Sequence, residues 1–402
     1  MSTEIVTGTE ASPDADIEFQ KEWWGFYIHM GKKEVETWQK IKDAIFSLVE
    51  PFLGGTTGKV IAAAVEVQKL WIQAVADDRG VSLVSPWVSP AMLIPIPRRG
   101  ASINDTSLWW CVYDLEEKKW GPDQRFPAHH SNSTPGLVKY KGNLHCVHRG
   151  GNDTQLWMTT FNPDGDDQEK RWSTDKPIPN HYSSSGPGVA VYKDELHCVY
   201  RGSGGDAKLY HIIYDGTSWR SNTMPDKWGD SGPALIVYKD KLHCVRRGTG
   251  NDSNLWHAVY DGNQWSGDHP ISDSYSASGP SMVLWVDLLN VYYRSTASDT
   301  TLEKNVYNGE KWLGAGRMDI ASAHTPGALM VNGESIHFVT VGNGSLTDQK
   351  LYHTSTKTLP MEGKYSSAGP GLIHYKDPYA KRDQILCVHR GHGPTTQPSA
   401  ED

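Results

Sequence analysis

Apolar side chains between residues 35 and 52 recur at helical intervals. Val35, Trp38, Ile45, Leu48, Val49 and Phe52 keep this spacing, with Lys32, Lys33, Glu36, Lys40, Lys42 and Asp43 mostly between them, as one face of an amphipathic helix requires. Pro51 and the pair Gly54 and Gly55 interrupt the pattern. A second stripe, Val60, Ala64, Val67, Trp71 and Val75, runs from Lys59 to Ala76. The two segments predict a helical hairpin. The stretch from Pro86 to Pro97 follows as an extended Pro-rich connector, because proline and the residue before it resist helix. Residues 21–100 are therefore expected to form a small helical hairpin domain with its connector.

Beyond residue 100 the pattern becomes a repeat. Two copies show it: SGPGVAVYKDELHCVYRGSGGDAKLYHIIYDGTSW at 185–219 and SGPALIVYKDKLHCVRRGTGNDSNLWHAVYDGNQW at 231–265. The motif prolines Pro135, Pro187, Pro233, Pro280, Pro326 and Pro370 stand 52, 46, 47, 46 and 44 residues apart. Each copy reads as strand, turn, strand, loop, strand, Asp-Gly turn, strand, which is the content of one propeller blade. The last copy stops after ILCVHRG at 385–391, with only its first two strands. Leu108 to Asp114 and then Lys119 and Trp120 supply the missing two from the other end. Complementary half-repeats close a ring and remove its free edges. The expected fold is mainly β: a six-bladed propeller over 101–394, closed by N- and C-terminal strands that share one blade, with 395–402 as a disordered tail.

In a four-stranded meander, the loops between blades and between strands two and three open on one face. That face collects an Arg, an Asp and an aromatic from most copies: Arg149, Asp153 and Trp157; Arg201, Asp206 and Tyr210; Arg247, Asp252 and Trp256; Arg294 and Asp299; and Arg390 with Trp109 in the split copy. Arg and Asp offer oriented donors and acceptors to hydroxyl groups, and a pyranose ring can stack on the aromatic. Weak sites repeated around a ring gain avidity. On these residues, 101–392 resemble the β-propeller lectins of bacteria and fungi. The resemblance implies shallow sites between blades for fucose or related sugars. Fucose-binding propellers commonly pair an Arg with a Glu and a Trp, whereas this repeat has no recurrent Glu. Val341 replaces the Arg of the fifth copy and Glu303 the aromatic of the fourth, so at most four or five sites are expected.

Composition narrows the alternatives. A formal net charge of −8 argues against a nucleic-acid binder that relies on positive charge. No apolar run approaches the ~18 residues of a membrane-spanning helix. The first twenty residues carry five acids and no Lys or Arg, so 1–20 reads as an acidic disordered tail and not as a secretory signal. A cytoplasmic location is expected, with release by an unconventional route left open. The five Cys lack a CxxC pair and suit buried fillers. Trp120, Trp172, Trp219, Trp265 and Trp312 are expected to pack between blades. His145, His197, His243 and His337 are read as structural, since each belongs to a different blade, and no metal or cofactor is expected. The acidic loop 162–169 has calcium-loop composition without EF-hand spacing. The repeated Arg could contact sugar or hold backbone carbonyls, and the loop Asp could bind sugar or cap its own turn.

The functional expectation is a multivalent lectin without catalysis. A propeller glycosidase would need a placed carboxylate pair or a Tyr nucleophile, and no non-repeated cluster nominates one. The alternative is a two-part toxin or defence protein, with a glycan-targeting propeller and a helical domain that engages membranes or a partner. Both open ends of the split blade emerge on the Arg/Asp/aromatic face, so residues 1–100 are expected to attach there.

Overall fold

The forty-odd-residue period is realised as six antiparallel sheets, five of four strands and one, the split blade, of five. The computed structural model describes residues 8–11, 17–21, 25–30, 43, 45–47, 50, 55–69, 72–73, 81–86, 93–97, 105–163, 171–296, 300–342, 349–378 and 381–392. Two compact units divide the chain, residues 104–392 forming one and residues 1–103 with 393–402 the other. Blades I to V occupy 136–182, 188–222, 234–275, 281–321 and 327–365. Blade VI joins Gly371–Asp377 and Arg382–Arg390 to Ser107–Asp114 and Lys119–Trp120. The join is a continuous ladder from Gln384 opposite Asp114 to Arg390 opposite Leu108. Gln124–His130 pairs with Ser107–Asp114 as well. The first strand of each blade neighbours the first strands of the blades on either side, and the circle closes where blade VI meets blade I.

Backbone contact around the axis makes this circle tight. A Cβ added to Gly232 would lie 2.5 Å from the Gly186 carbonyl oxygen, and one on Gly279 would lie 2.7 Å from that of Gly232. A Cβ on Gly186 would strike the Thr134 carbonyl, and one on Gly369 the Thr325 carbonyl. The Ser-x-Gly-Pro turn thus keeps its glycine because the neighbouring backbone occupies the side-chain position. At the opposite face the hairpins between first and second strands are type I′. Lys239 and Asp240 have φ of 47° and 57°, and Lys193 and Asp194 repeat them at 49° and 61°, matching the strand twist. The turn lysines then stitch blades together. Lys141 donates to the Asp215 carbonyl at 2.7 Å and Lys239 to that of Asn308 at 3.0 Å.

Between blades the core is aromatic and histidine-rich. The five expected tryptophans each pack toward the preceding blade: Trp172 on Trp110, Trp219 beside Tyr214 and Tyr140, Trp265 on His211, Trp312 on His257 and Trp120 on His353. Blades II, III and V each hold a stacked histidine pair, His197 with His211, His243 with His257 and His337 with His353, each joined by a 2.9 Å hydrogen bond. Trp265 donates its indole N–H to His211 Nδ1 at 3.2 Å, so a proton added there would displace that bond. Burial holds His197 and His243 at about 4, and His211, His257 and His353 at about 3. All five cysteines are buried, and none forms a disulfide.

The other unit contains more than helices. Its helix spans Gly55–Val67, and Asp43, Ile45–Ser47 and Glu50 are also helical. Its buried stripe is Ile61, Ala62, Val65 and Ile72, while Val60 is 49% exposed. The expected Val60–Ala64 face is therefore rotated, placing the larger isoleucines inside. Five strands form a meander in the order Gly8–Ala11, Ile17–Lys21, Gly25–Met30, Val81–Pro86 and Ile94–Pro97. Gly8–Ala11 and Ile17–Lys21 are paired strands within the stretch expected to be a disordered tail, because backbone pairing does not depend on charge. Phe26, Ile28 and Met30 alternate inward, as do Val81, Leu83 and Ser85 on the partner strand. The Pro-rich connector supplies the edge strand Ile94–Pro97, where proline's missing N–H is tolerated. Tail residues 395–402 lie outside the described residues.

Two outcomes follow from the packing. Gly186→Ala and Gly232→Ala should each lower unfolding free energy by about 1–3 kcal/mol through overpacking. Gly205→Ala, whose Cβ meets nothing within 4 Å, should be neutral in the same urea titrations. An unfolded histidine titrates near 6.5, so the unfolded chain binds more protons below that pH. Stability should be complete above about pH 6.5 and fall progressively as pH drops towards 4. A flat urea midpoint between pH 7 and 4.5 would contradict the paired histidines' neutrality.

Candidate functional site

The loop after the second strand is organised by its aspartate. Asp252 Oδ1 accepts the Asn254 amide at 2.9 Å, and its Oδ2 accepts the Trp256 indole N–H at 2.7 Å. Asp206 does the same with the Lys208 amide at 2.9 Å and the Tyr210 hydroxyl at 2.7 Å. Asp153 caps Gln155 at 3.0 Å with Trp157 at 3.5 Å. The glycine after each Arg makes room, since a Cβ on Gly248 would lie 2.5 Å from Asp252 Cγ. The Lys208 amide above all holds the Asp206 carboxyl below its ordinary range. These aspartates are occupied by their own loop, so they position the aromatic ring and do not offer free acceptors to a ligand.

Sequence reading missed one member of this set. Asp105 accepts the Ser107 amide at 3.0 Å and the Trp109 indole at 3.3 Å, completing the split blade. The spacing Asp-x-x-Leu-Trp, shared by residues 105–109 and 153–157, is the signal. Trp109 itself is only 1% exposed. Its assignment as a sugar platform is therefore corrected: the ring is core. Asp299 lies outside the described residues, as does the acidic loop after Pro163.

Register redistributes the trio. Arg201 stands opposite Leu209 and Arg247 opposite Leu255, whereas the aromatics Tyr210 and Trp256 stand opposite Tyr200 and Arg246. Side chains alternate along a strand, so the Arg and the aromatic of one blade point to opposite faces of its sheet. Leu209 packs with Leu242, Cys244 and Ala258 of blade III, the face that carries Trp256. The Arg of one blade consequently shares a cleft with the aromatic of the next. By the same register, Arg149 falls on the cleft side of Tyr210, Arg201 on that of Trp256, Arg294 on that of Tyr352 and Arg390 on that of Trp157. Arg247 falls on that of Glu303 instead, and Val341 on that of the buried Trp109.

A second aromatic row lies at the ends of the fourth strands. Tyr182, Trp228, Tyr275 and Tyr365 each precede a motif proline by five residues, with His130 and Ala321 at the same place in the other copies. Tyr182, Trp228 and Tyr275 are 47, 42 and 46% exposed, beside Tyr210 at 41%. Tyr182 pairs with Gln155 and Tyr275 with Asn254, two residues before the loop aromatics Trp157 and Trp256. Both rows therefore open towards the same clefts. Between blades IV and V this region encloses a cavity of about 360 Å³, lined by Tyr352, Asp319, Thr301, Thr340 and Thr358 among others.

The arginines differ in how far the fold engages them. Arg247 Nε donates to the Ser276 carbonyl at 2.9 Å, and its terminal nitrogens reach the Gly248 and Gly250 carbonyls. Arg149 Nε holds the Ser183 carbonyl at 2.9 Å. Burial lowers Arg149 and Arg390 somewhat from the usual guanidinium range.

Cys111, Asp123 and His389 bring ligand atoms within 4.8 Å of one another. His389 Nε2 lies 3.1 Å from both Asp123 oxygens, and its Nδ1 lies 3.1 Å from the Arg390 carbonyl. The corresponding pairs in blades I and III are His148 with Asp175 and Arg246 with Asp268. A guanidinium cannot ligate a metal, so the recurrent feature is a nitrogen donor paired with a carboxylate within the blade.

No family model matches the chain, and no curated protein matches it. Solved structures similar in outline include the Aleuria aurantia lectin, described as a six-bladed β-propeller with a novel fucose recognition mode. It is 11% identical over 66% of this chain and 97% of that one, with a TM-score of 0.47. A Dyadobacter fermentans protein of unknown function is 10% identical over 77% and 90%, with a TM-score of 0.46. An α-L-arabinofuranosidase of Clostridium thermocellum is 12% identical over 57% and 93%, with a TM-score of 0.40. The six-blade count rests on this chain's own strand pairings.

Asp123→Ala should cost about 1–3 kcal/mol of stability by leaving the buried His389 without its carboxylate acceptor. The melting temperature of the unsubstituted protein should respond to neither zinc nor EDTA. A rise with zinc would mark a metal site instead.

Proposed function

We propose that the propeller is a non-catalytic glycan-binding module whose sites lie in the clefts between consecutive blades. The observation that carries this reading is the double row of aromatics at the cleft mouths, four of them more than 40% exposed. Large rings left open to water on a stable scaffold suit recognition by stacking. In the loop row, Asp153, Asp206 and Asp252 fix the N–H or O–H groups of Trp157, Tyr210 and Trp256, so little of their side-chain entropy is lost on binding. An Arg from the preceding blade supplies planar donors for hydroxyl oxygens. The cavity between blades IV and V falls within the ~300–1,000 Å³ of small-molecule sites, and its Thr301, Thr340 and Thr358 add hydroxyl partners. The family resemblance of the repeat directs the first probes to fucosylated glycans.

A glycan array on the full chain tests the reading. Binding to at least one saccharide class is expected, and Tyr352→Ala should weaken the blade IV/V site by about tenfold, or ~1.4 kcal/mol, with little change in melting temperature. Trp265→Ala should instead lower stability. No glycan binding, or turnover of a fluorogenic glycoside, would contradict a lectin.

A further inference from the structure

The six proline turns line a funnel of about 630 Å³ on the propeller axis. Three residues before each proline stand Asn132, Ser184, Asp230, Ala277, Ala323 and Ser367. Asp230 is the acid of the set. Its carboxylate lies 3.7 Å from Arg201 of blade II and 3.6 Å from Arg247 of blade III, and it accepts the Gly250 amide. The protein thereby displays how an oxyanion seats between the arginines of two consecutive blades.

Elsewhere on the rim the turns supply no such anion, and two residues that break the repeat add imidazole N–H donors beside the arginines. His324 stands where the other turns carry Ser133, Ser185, Ser231, Ser278 and Ala368, and His392 follows the Arg390–Gly391 pair. His324 lines the funnel and lies within electrostatic reach of Arg294, Arg390 and His392. Arg390 in turn feels Arg149. The acid acting on this group is Asp105, which already holds the Ser107 amide and the Trp109 indole. Among the described residues, Arg294 Nε, Arg390 Nε and both His392 ring nitrogens are buried without a hydrogen-bond partner. Arg390 is 9% exposed. Buried guanidinium donors are costly until an acceptor reaches them, and Val341 leaves the space between Arg294 and Arg390 without a guanidinium.

We infer that Arg294, His324, Arg390 and His392 form an oxyanion site on the axial rim, taking the carboxylate, sulfate or phosphate group of an acidic saccharide. The saccharide as carrier rests on the glycan-binding reading, while the anion site itself does not.

Calorimetry and thermal shift on the full chain with sodium sulfate, at ionic strength held constant with chloride, test the site. Saturable sulfate binding is expected, weakened at least tenfold by Arg294→Gln combined with His392→Asn. Ala323→Asp places a carboxylate at the turn position of Asp230. It should raise the melting temperature and abolish the sulfate response, which separates anion binding from loss of fold. Paired arrays of sialylated or sulfated and neutral oligosaccharides identify the carrier, and an acidic preference is expected. Saturable sulfate binding without that preference keeps the site and overturns the saccharide as its carrier. No response beyond chloride, or one unchanged in both variants, overturns the site, and neutral-glycan binding in that case leaves the lectin reading standing.

Discussion

The close approach of backbone to backbone around the axis governs everything built outside it. Each proline turn rests on its neighbour: a Cβ at Gly186, Gly232, Gly279 or Gly369 would meet the preceding turn. Six turns in mutual contact allow no open spiral, and the hydrogen-bonded seam between Arg382–Arg390 and Ser107–Asp114 completes the ring. Once the first strands are pinned, the spacing of the blades, and hence of the clefts, is fixed. The turn lysines and inter-blade tryptophans then stiffen the structure from the opposite face and from within.

Those clefts are composite. A β-strand sends alternate side chains to opposite faces, so the Arg that ends the second strand and the ring that begins the third cannot look into the same groove of one blade. Closure restores the pairing by bringing the next blade's ring opposite. A single linear repeat would have an Arg on one side and an aromatic on the other with nothing between them. The same geometry explains the inequality of the clefts: Glu303 and Val341 each spoil one, and burial of Trp109 removes its ring as a platform.

Much of this architecture is legible in the sequence. The period, the two complementary half-copies and the Asp-Gly-x-x-Trp turns give the blade count, the closing seam and the inter-blade tryptophans, because repetition forces the same local solution six times. The composite cleft is less legible, since grouping residues by copy follows the chain and not the register. The fourth-strand aromatics escape notice because Tyr, Trp and His exchange there, with only their distance to the proline held constant. Asp105 is hidden by the split. In the other unit, charge along 1–20 and proline along 86–97 point away from strands, yet pairing through the backbone and an edge position accommodate both.

In the proposed glycan sites, each Arg and its ring come from consecutive blades. Double-mutant cycles on glycan affinity test this arrangement most directly, comparing Arg201 with Trp256 across the blade II/III cleft and Arg201 with Tyr210 inside blade II. A coupling of about 0.5 kcal/mol or more is expected for the first pair and additivity for the second. Coupling confined to Arg201 and Tyr210, with Arg201 and Trp256 additive, would contradict it.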